Sequence, residues 1–143
     1  MTRYIKIESG STLRNKNLKS IIITIRELGK QSEVDSETKD MIAFIILSLQ
    51  MITETIEEAV VAWEKRDYWL KADRFRLDWE WVIKSSNGLY RALLDNDWAN
   101  ISSLIPIIAA KCRNIKLTSK SSSLKIWVGA YDKLMRSNKK GAA

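Results

Sequence analysis

No proline or glycine interrupts residues 36–87. A stretch without either residue has nothing to stop a helix, yet it is far longer than a compact single-domain chain can use as one rod, so a turn must fall inside it. Lys65-Arg66-Asp67 is the best place. There two cations would sit at the negative end of one helix dipole, and Asp67 could cap the next helix. Upstream, Asp35 or Ser36 caps the first of the two helices. Its centre, Met41-Ile42-Ala43-Phe44-Ile45-Ile46-Leu47-Ser48-Leu49-Gln50-Met51-Ile52, is apolar on all sides. A run of about a dozen residues is too short to cross a bilayer, and Ser48, Gln50 and flanking acids argue against it, so this is read as the most buried helix of a bundle.

The second helix carries the run Trp63-Glu64-Lys65-Arg66-Asp67-Tyr68-Trp69-Leu70-Lys71-Ala72-Asp73-Arg74-Phe75-Arg76-Leu77-Asp78-Trp79-Glu80-Trp81, with four of the six tryptophans. At 100° per residue it presents two stripes. Tyr68, Ala72, Phe75, Trp79, Val82, Ser86, Tyr90 and Leu93 share the face expected to meet the core. Leu70, Leu77 and Trp81, with Arg74 and Lys84 beside them, point almost the opposite way. This helix is expected to continue to Asn87-Gly88 and to end or bend there.

The remaining segments are arranged around these two helices. Tyr4-Ile5-Lys6-Ile7-Glu8 alternates like a strand but has nothing to pair with, so residues 1–10 are expected as an arm. Ser11 or Thr12 caps a helix to Leu28, ended by Gly29. Asp95-Asn96-Asp97 makes a turn, and Asp97 caps a helix from Trp98 to about Ile115 that contains Pro106 and should kink near Ser102-Ser103. Residues 118–123 are a polar loop. A short helix from Leu124 to Met135 packs with Leu124, Trp127, Val128, Tyr131 and Leu134 ahead of a basic tail from about 136 to 143. The expected fold is all-α: one domain over 1–143, a bundle of four main helices plus a short C-terminal helix.

Composition narrows the chemistry. The chain has no histidine, hence neither the commonest general base nor the commonest metal ligand. Its carboxylates are spaced as surface helix charges, and its five glycines form no phosphate loop. No catalytic role, no metal and no cofactor are expected. One cysteine, Cys112, excludes an internal disulfide, and no signal peptide or lipid anchor is legible at the start, which together lead to the expectation of a reduced, cytoplasmic protein without membrane attachment.

The net charge of +7 is unevenly placed. Residues 1–30 carry seven positive and two negative charges, 31–64 one and eight, 65–110 seven and six, and 111–143 nine and one. The basic ends point to a polyanion partner, and the acidic second segment is complementary to both. Two groups of residues are candidates for RNA or single-stranded nucleic acid. In the first, Lys71, Arg74, Trp81 and Lys84 combine an aromatic face for stacking with cations for phosphates, although helical pairs of Arg74 with Asp78 and Arg76 with Glu80 would neutralise part of that charge. In the second, Lys111, Arg113, Lys116, Lys120 and Lys125 supply phosphate contacts from a flexible segment. The chain contains no base-reading signature.

The basic all-helical character, with the run from Trp63 to Arg76 followed by Asp78-Trp79-Glu80-Trp81, resembles the small helical subunit of type III CRISPR effector complexes, the type D branch in particular. The resemblance covers about residues 40–117 and leaves the segment after Lys116 unexplained. It implies a non-catalytic subunit, several copies of which stack in a row along the guide-target duplex, touching neighbouring subunits of a ribonucleoprotein complex on one side and the nucleic-acid backbone on the other. Two other readings share the composition: the basic helical-bundle accessory protein of diversity-generating reverse transcriptases, which closes into a ring, and a protein-binding adaptor docking through Leu70, Leu77 and Trp81.

Overall fold

The computed structural model describes residues 9–117 and 124–142. Among them are six helices and no strand: α1 (Gly10–Leu28), α2 (Ser36–Lys65), α3 (Trp69–Asp78), α4 (Glu80–Leu94), α5 (Trp98–Lys111) and α6 (Ala130–Ala142). The arm expected at Tyr4–Glu8 and the loop at 118–123 lie outside the described residues.

The long helix α2 is the axis of the molecule, packed by α1, α3, α4 and α6. Ile42, Ile45, Ile46, Leu49, Ile52, Ile56 and Val60 are all buried along it. Each such side chain contributes roughly 1.5–3 kcal/mol by leaving water, so this one stripe outweighs any surface interaction. The helix starts where expected. Asp35 accepts the Thr38 N–H at 3.0 Å while the Thr38 hydroxyl receives the Asp35 N–H at 3.3 Å, a reciprocal cap. At its end Asp67 stands at φ +63°, with its N–H on the Glu64 carbonyl and the Tyr68 N–H on the Trp63 carbonyl. That is a Schellman ending. Asp67 therefore closes α2 instead of capping α3, whose first residue has no side-chain cap. Asn96 at φ +52° closes α4 in the same way, with the Asp97 N–H on Ala92.

Further expectations are corrected. Ser9, not Ser11 or Thr12, caps α1, its hydroxyl accepting the Thr12 N–H at 3.2 Å. This places Ser11 and Thr12 in the first turn. The tryptophan-rich helix is two helices, because Trp79 leaves helical geometry at φ −108°, ψ 7°. The break resets the helical phase after Trp79, so Trp81 lies beside Trp79, ring centroids 6.3 Å apart and planes 26° from parallel, rather than on the opposite side. Gly88, by contrast, is inside α4, packed by Leu104 of α5. α5 ends at Lys111, four residues early, with Pro106 accommodated within it.

The last correction is at the C-terminal end. Leu124 is exposed, residues 126–129 are turns, Gly129 takes φ +83°, and α6 begins only at Ala130. It then runs through the stretch expected as a tail, since extending a helix that Leu134 anchors in the core costs little beyond nucleation. Its start is held from α2: the Asp40 carboxylate accepts the N–H groups of Gly129 (3.2 Å) and Tyr131 (2.9 Å), replacing the local cap the sequence lacks.

Candidate nucleic-acid interface

The turn after α2 folds α3 back across the end of that helix, and this brings the aromatic residues of the run into a connected ladder. Trp63 meets the edge of Phe75 at 4.8 Å, Phe75 lies 6.3 Å from Trp79, and Trp79 lies 6.3 Å from Trp81. Only Ala72 of α3 is fully buried. Phe75, Trp79 and Trp81 are half-buried, and Tyr68, expected on the core face, is exposed since the Schellman turn aims it outward.

Cations lie on this ladder from both sides. Lys71 Nζ sits 4.6 Å from the centre of the Trp63 ring. Arg14, reaching from α1, lies 5.0 Å from the Phe75 centroid and 5.5 Å from that of Trp79. Beside the ladder an open depression of about 800 Å³ is lined by Trp63, Asp67, Tyr68, Trp69, Leu70, Lys71, Arg74, Phe75 and Asp78, so two carboxylates share it with the two cations. Trp69 is 55% exposed, Leu70 68% and Leu77 69%. These side chains leave the outer side of α3 apolar and uncovered by any described element.

The structure separates the candidate residues of both sequence-based groups. Lys71 and Arg74 are together in the depression, and Arg74 has no carboxylate partner among the described residues: the pair with Asp78 does not form. Trp81 is at the far end of the ladder. Lys84 is drawn off by Glu80 at 2.8 Å, and the hydrogen bond to that carboxylate, then its charge, raise the lysine pKa. Arg76 pairs with Glu64 and Asp73 at 3.3 and 3.4 Å, not with Glu80. In the second group Lys111, Arg113 and Lys116 are exposed and have no carboxylate partner among the described residues, but α5 makes no contact with α3, so they form a separate basic patch. Lys125 is engaged by Glu37 at 3.0 Å, and Lys120 lies outside the described residues.

Sequence reading missed Arg14, Trp63 and Trp69 as members of the site. The two tryptophans were visible in the run, but their exposure depends on the turn at Asp67. Nothing local marks Arg14, which joins from 61 residues before Phe75 in the chain.

Among the described residues no group of three or more Cys, Asp or Glu is placed to hold a metal ion, and no helix is long and apolar enough to cross a membrane. Cys112 is buried, and burial pushes its thiol up to about 11, so it stays protonated and unreactive at neutral pH. Comparison with protein-family models, with curated proteins and with solved structures finds no match to this chain.

Proposed function

We propose that this chain is a non-catalytic subunit that supports RNA or single-stranded nucleic acid within a larger ribonucleoprotein assembly, a role akin to that of the small subunit of type III CRISPR effector complexes, which it resembles. The observation that carries the reading is the α3 depression, where exposed Trp69 and Tyr68 offer flat faces while Lys71 and Arg74 supply positive charge. Bases of any identity stack on such faces, and phosphates are drawn by the cations, so binding needs no base-reading motif. The basic patch of Lys111, Arg113 and Lys116 adds charge for a longer strand or a second segment. In this reading α3 and α4 count as one interrupted member of a four-helix bundle, α6 is the added helix, and several cytoplasmic copies sit side by side.

Fluorescence anisotropy with a labelled oligouridylate tests it. Binding is expected at low salt, weakening with a slope of about −0.7 per phosphate contacted, and Trp69→Ala should lower affinity by about 1–3 kcal/mol without altering the melt. No binding at low salt sinks the reading for the free chain. A second reading is favoured by Leu70 and Leu77, which are exposed one above the other on α3: they suit a protein partner. Loss of assembly without loss of RNA affinity in Leu70→Ala/Leu77→Ala would select it.

A further inference from the structure

Arg14 differs from the other described arginines in what surrounds it. A guanidinium has five N–H donors in a plane and two faces. Here Phe75 and Trp79 lie against the group, one N–H reaches the Thr55 hydroxyl at 3.2 Å, and no carboxylate pairs with it among the described residues. The side chain is half-buried, and burial without a compensating anion lowers its pKa. Arg76, adjacent to Phe75 in the chain, is by contrast held by two acids.

The fold makes room for this arrangement. Gly10 has no Cβ where one would lie 3.1 Å from Arg14 Nη1 and 3.7 Å from Thr55 Cβ, so α1 can approach α2 with the guanidinium between them. Next to it is a notch of about 330 Å³ lined by Ser11, Thr12, Arg14, Asn15, Leu18 and Trp79. None of these is acidic, three are neutral hydrogen-bonding side chains, and one is an indole. The volume is at the lower end of the range of small-ligand sites. Phe75 both walls the α3 depression and touches Arg14, so the notch and the depression are neighbours across one aromatic ring.

We propose that the Arg14 notch is a nucleotide-phosphate site, in which the unengaged in-plane N–H groups of Arg14, with Asn15 beside them, hold two phosphate oxygens while Trp79 packs against the attached sugar or base. Planar guanidinium donors match two oxygens of one phosphate, which a notch without a carboxylate among the described residues leaves unopposed. The inference rests on the nucleic-acid reading in one respect: it takes the phosphate to belong to the strand that crosses the α3 depression, and so names a fixed point for that strand. A free mononucleotide presents the same chemistry, and the experiment separates the two sources.

The test is nuclear magnetic resonance of the full chain, following the Arg14 Nε–H and the Trp79 and Trp81 indole N–H signals. AMP is expected to shift Arg14 and Trp79 saturably, inorganic phosphate to shift Arg14 alone, and adenosine to shift neither at the same concentration. Arg14→Gln should abolish the AMP effect on Trp79. Arg14→Lys, which keeps the charge but not the fork, should weaken it about tenfold, and Asn15→Ala, at an exposed position, should weaken it with an unchanged melt. If Arg14→Gln melts early, the last two variants carry the test. An AMP titration that leaves Arg14 and Trp79 unmoved overturns the site and makes Arg14 a structural staple between helices.

Oligouridylate binding then assigns the source. Arg14→Gln should reduce its salt slope by about 0.7, the share of one phosphate on a single strand. Tight oligouridylate binding with an unaltered slope in that variant overturns the inference and leaves the RNA reading standing. Saturable AMP binding with no oligouridylate binding does the reverse, supporting the notch as a free-nucleotide site while removing the RNA reading.

Discussion

Two short stretches of this chain are nearly interchangeable on paper: Trp69-Leu70-Lys71 and Lys125-Ile126-Trp127, each a tryptophan and a lysine around a branched aliphatic residue. In the folded molecule they have opposite fates. Trp127 is 3% exposed, its indole N–H donates to Glu37 at 3.3 Å, and Lys125 pairs with that same carboxylate. Trp69 lies open at the surface, and Lys71 faces the Trp63 ring instead of an acid. The difference is in what stands opposite. The first two turns of α2 offer Glu37 and Asp40 to the C-terminal segment, whereas the outer face of α3 meets no element of the described chain. An aromatic residue beside a cation is therefore left open only where no carboxylate of the fold pairs with the two.

The largest expected effect tests the burial half of that contrast. Trp127→Ala should cost roughly 3–5 kcal/mol through lost burial and a cavity, and Trp69→Ala within about 0.5 kcal/mol, read as thermal melts side by side. Equal losses would erase the distinction between the two stretches. Next in size is the cap that Asp40 provides for α6. Asp40→Ala removes acceptors from two backbone N–H groups and should cost about 1–2 kcal/mol, while Asp73→Ala, which breaks only an exposed pair with Arg76, should fall below about 1 kcal/mol.

The smallest effect is a pH dependence. Hydrogen bonds from Lys125 and then Trp127 hold the Glu37 carboxyl below its usual range. A depressed carboxylate pKa means that its contribution is complete above the unfolded value and is lost as pH falls through the folded one. Trp127 should thus loosen as pH falls below 4.5, the ordinary glutamate value, and before the α3 aromatics change, as followed by their separate indole resonances. Simultaneous change at Trp69 and Trp127 would mean that the whole fold, not this contact, is responding, and Glu37→Gln should remove the early step.

Much of the helical plan was legible in the chain. The boundaries at Asp35, Lys65, Asn96 and Asp97 follow from chemistry carried by those residues and their immediate neighbours: a carboxylate that reaches its own third amide, and Asp or Asn tolerating a left-handed backbone. Asp67 shows the limit of this. The same side chain can cap the helix ahead or close the one behind, and the sequence does not say which until the α2 ending forms. Trp79 shows another, since no proline or glycine marks the break that brings Trp81 beside it. Of the site, Lys71 and Arg74 were legible from aromatic and cationic spacing within one helix. Lys84 and Lys125 were not distinguishable from them, because Glu80 and Glu37 cancel them only once rotamers and tertiary contacts are set.

What the sequence by itself determined is local or cumulative: helix-forming segments, the apolar stripe of Ile42, Ile45, Ile46, Leu49, Ile52 and Ile56, the absence of histidine chemistry and the basic excess, none of which depends on a distant neighbour. Tertiary structure decided which tryptophans are interior, which lysines are neutralised and how Arg14 arrives at Phe75 and Trp79. Those are relations between residues far apart in the chain, and neither propensity nor periodicity carries information about what a side chain will find across a helix interface.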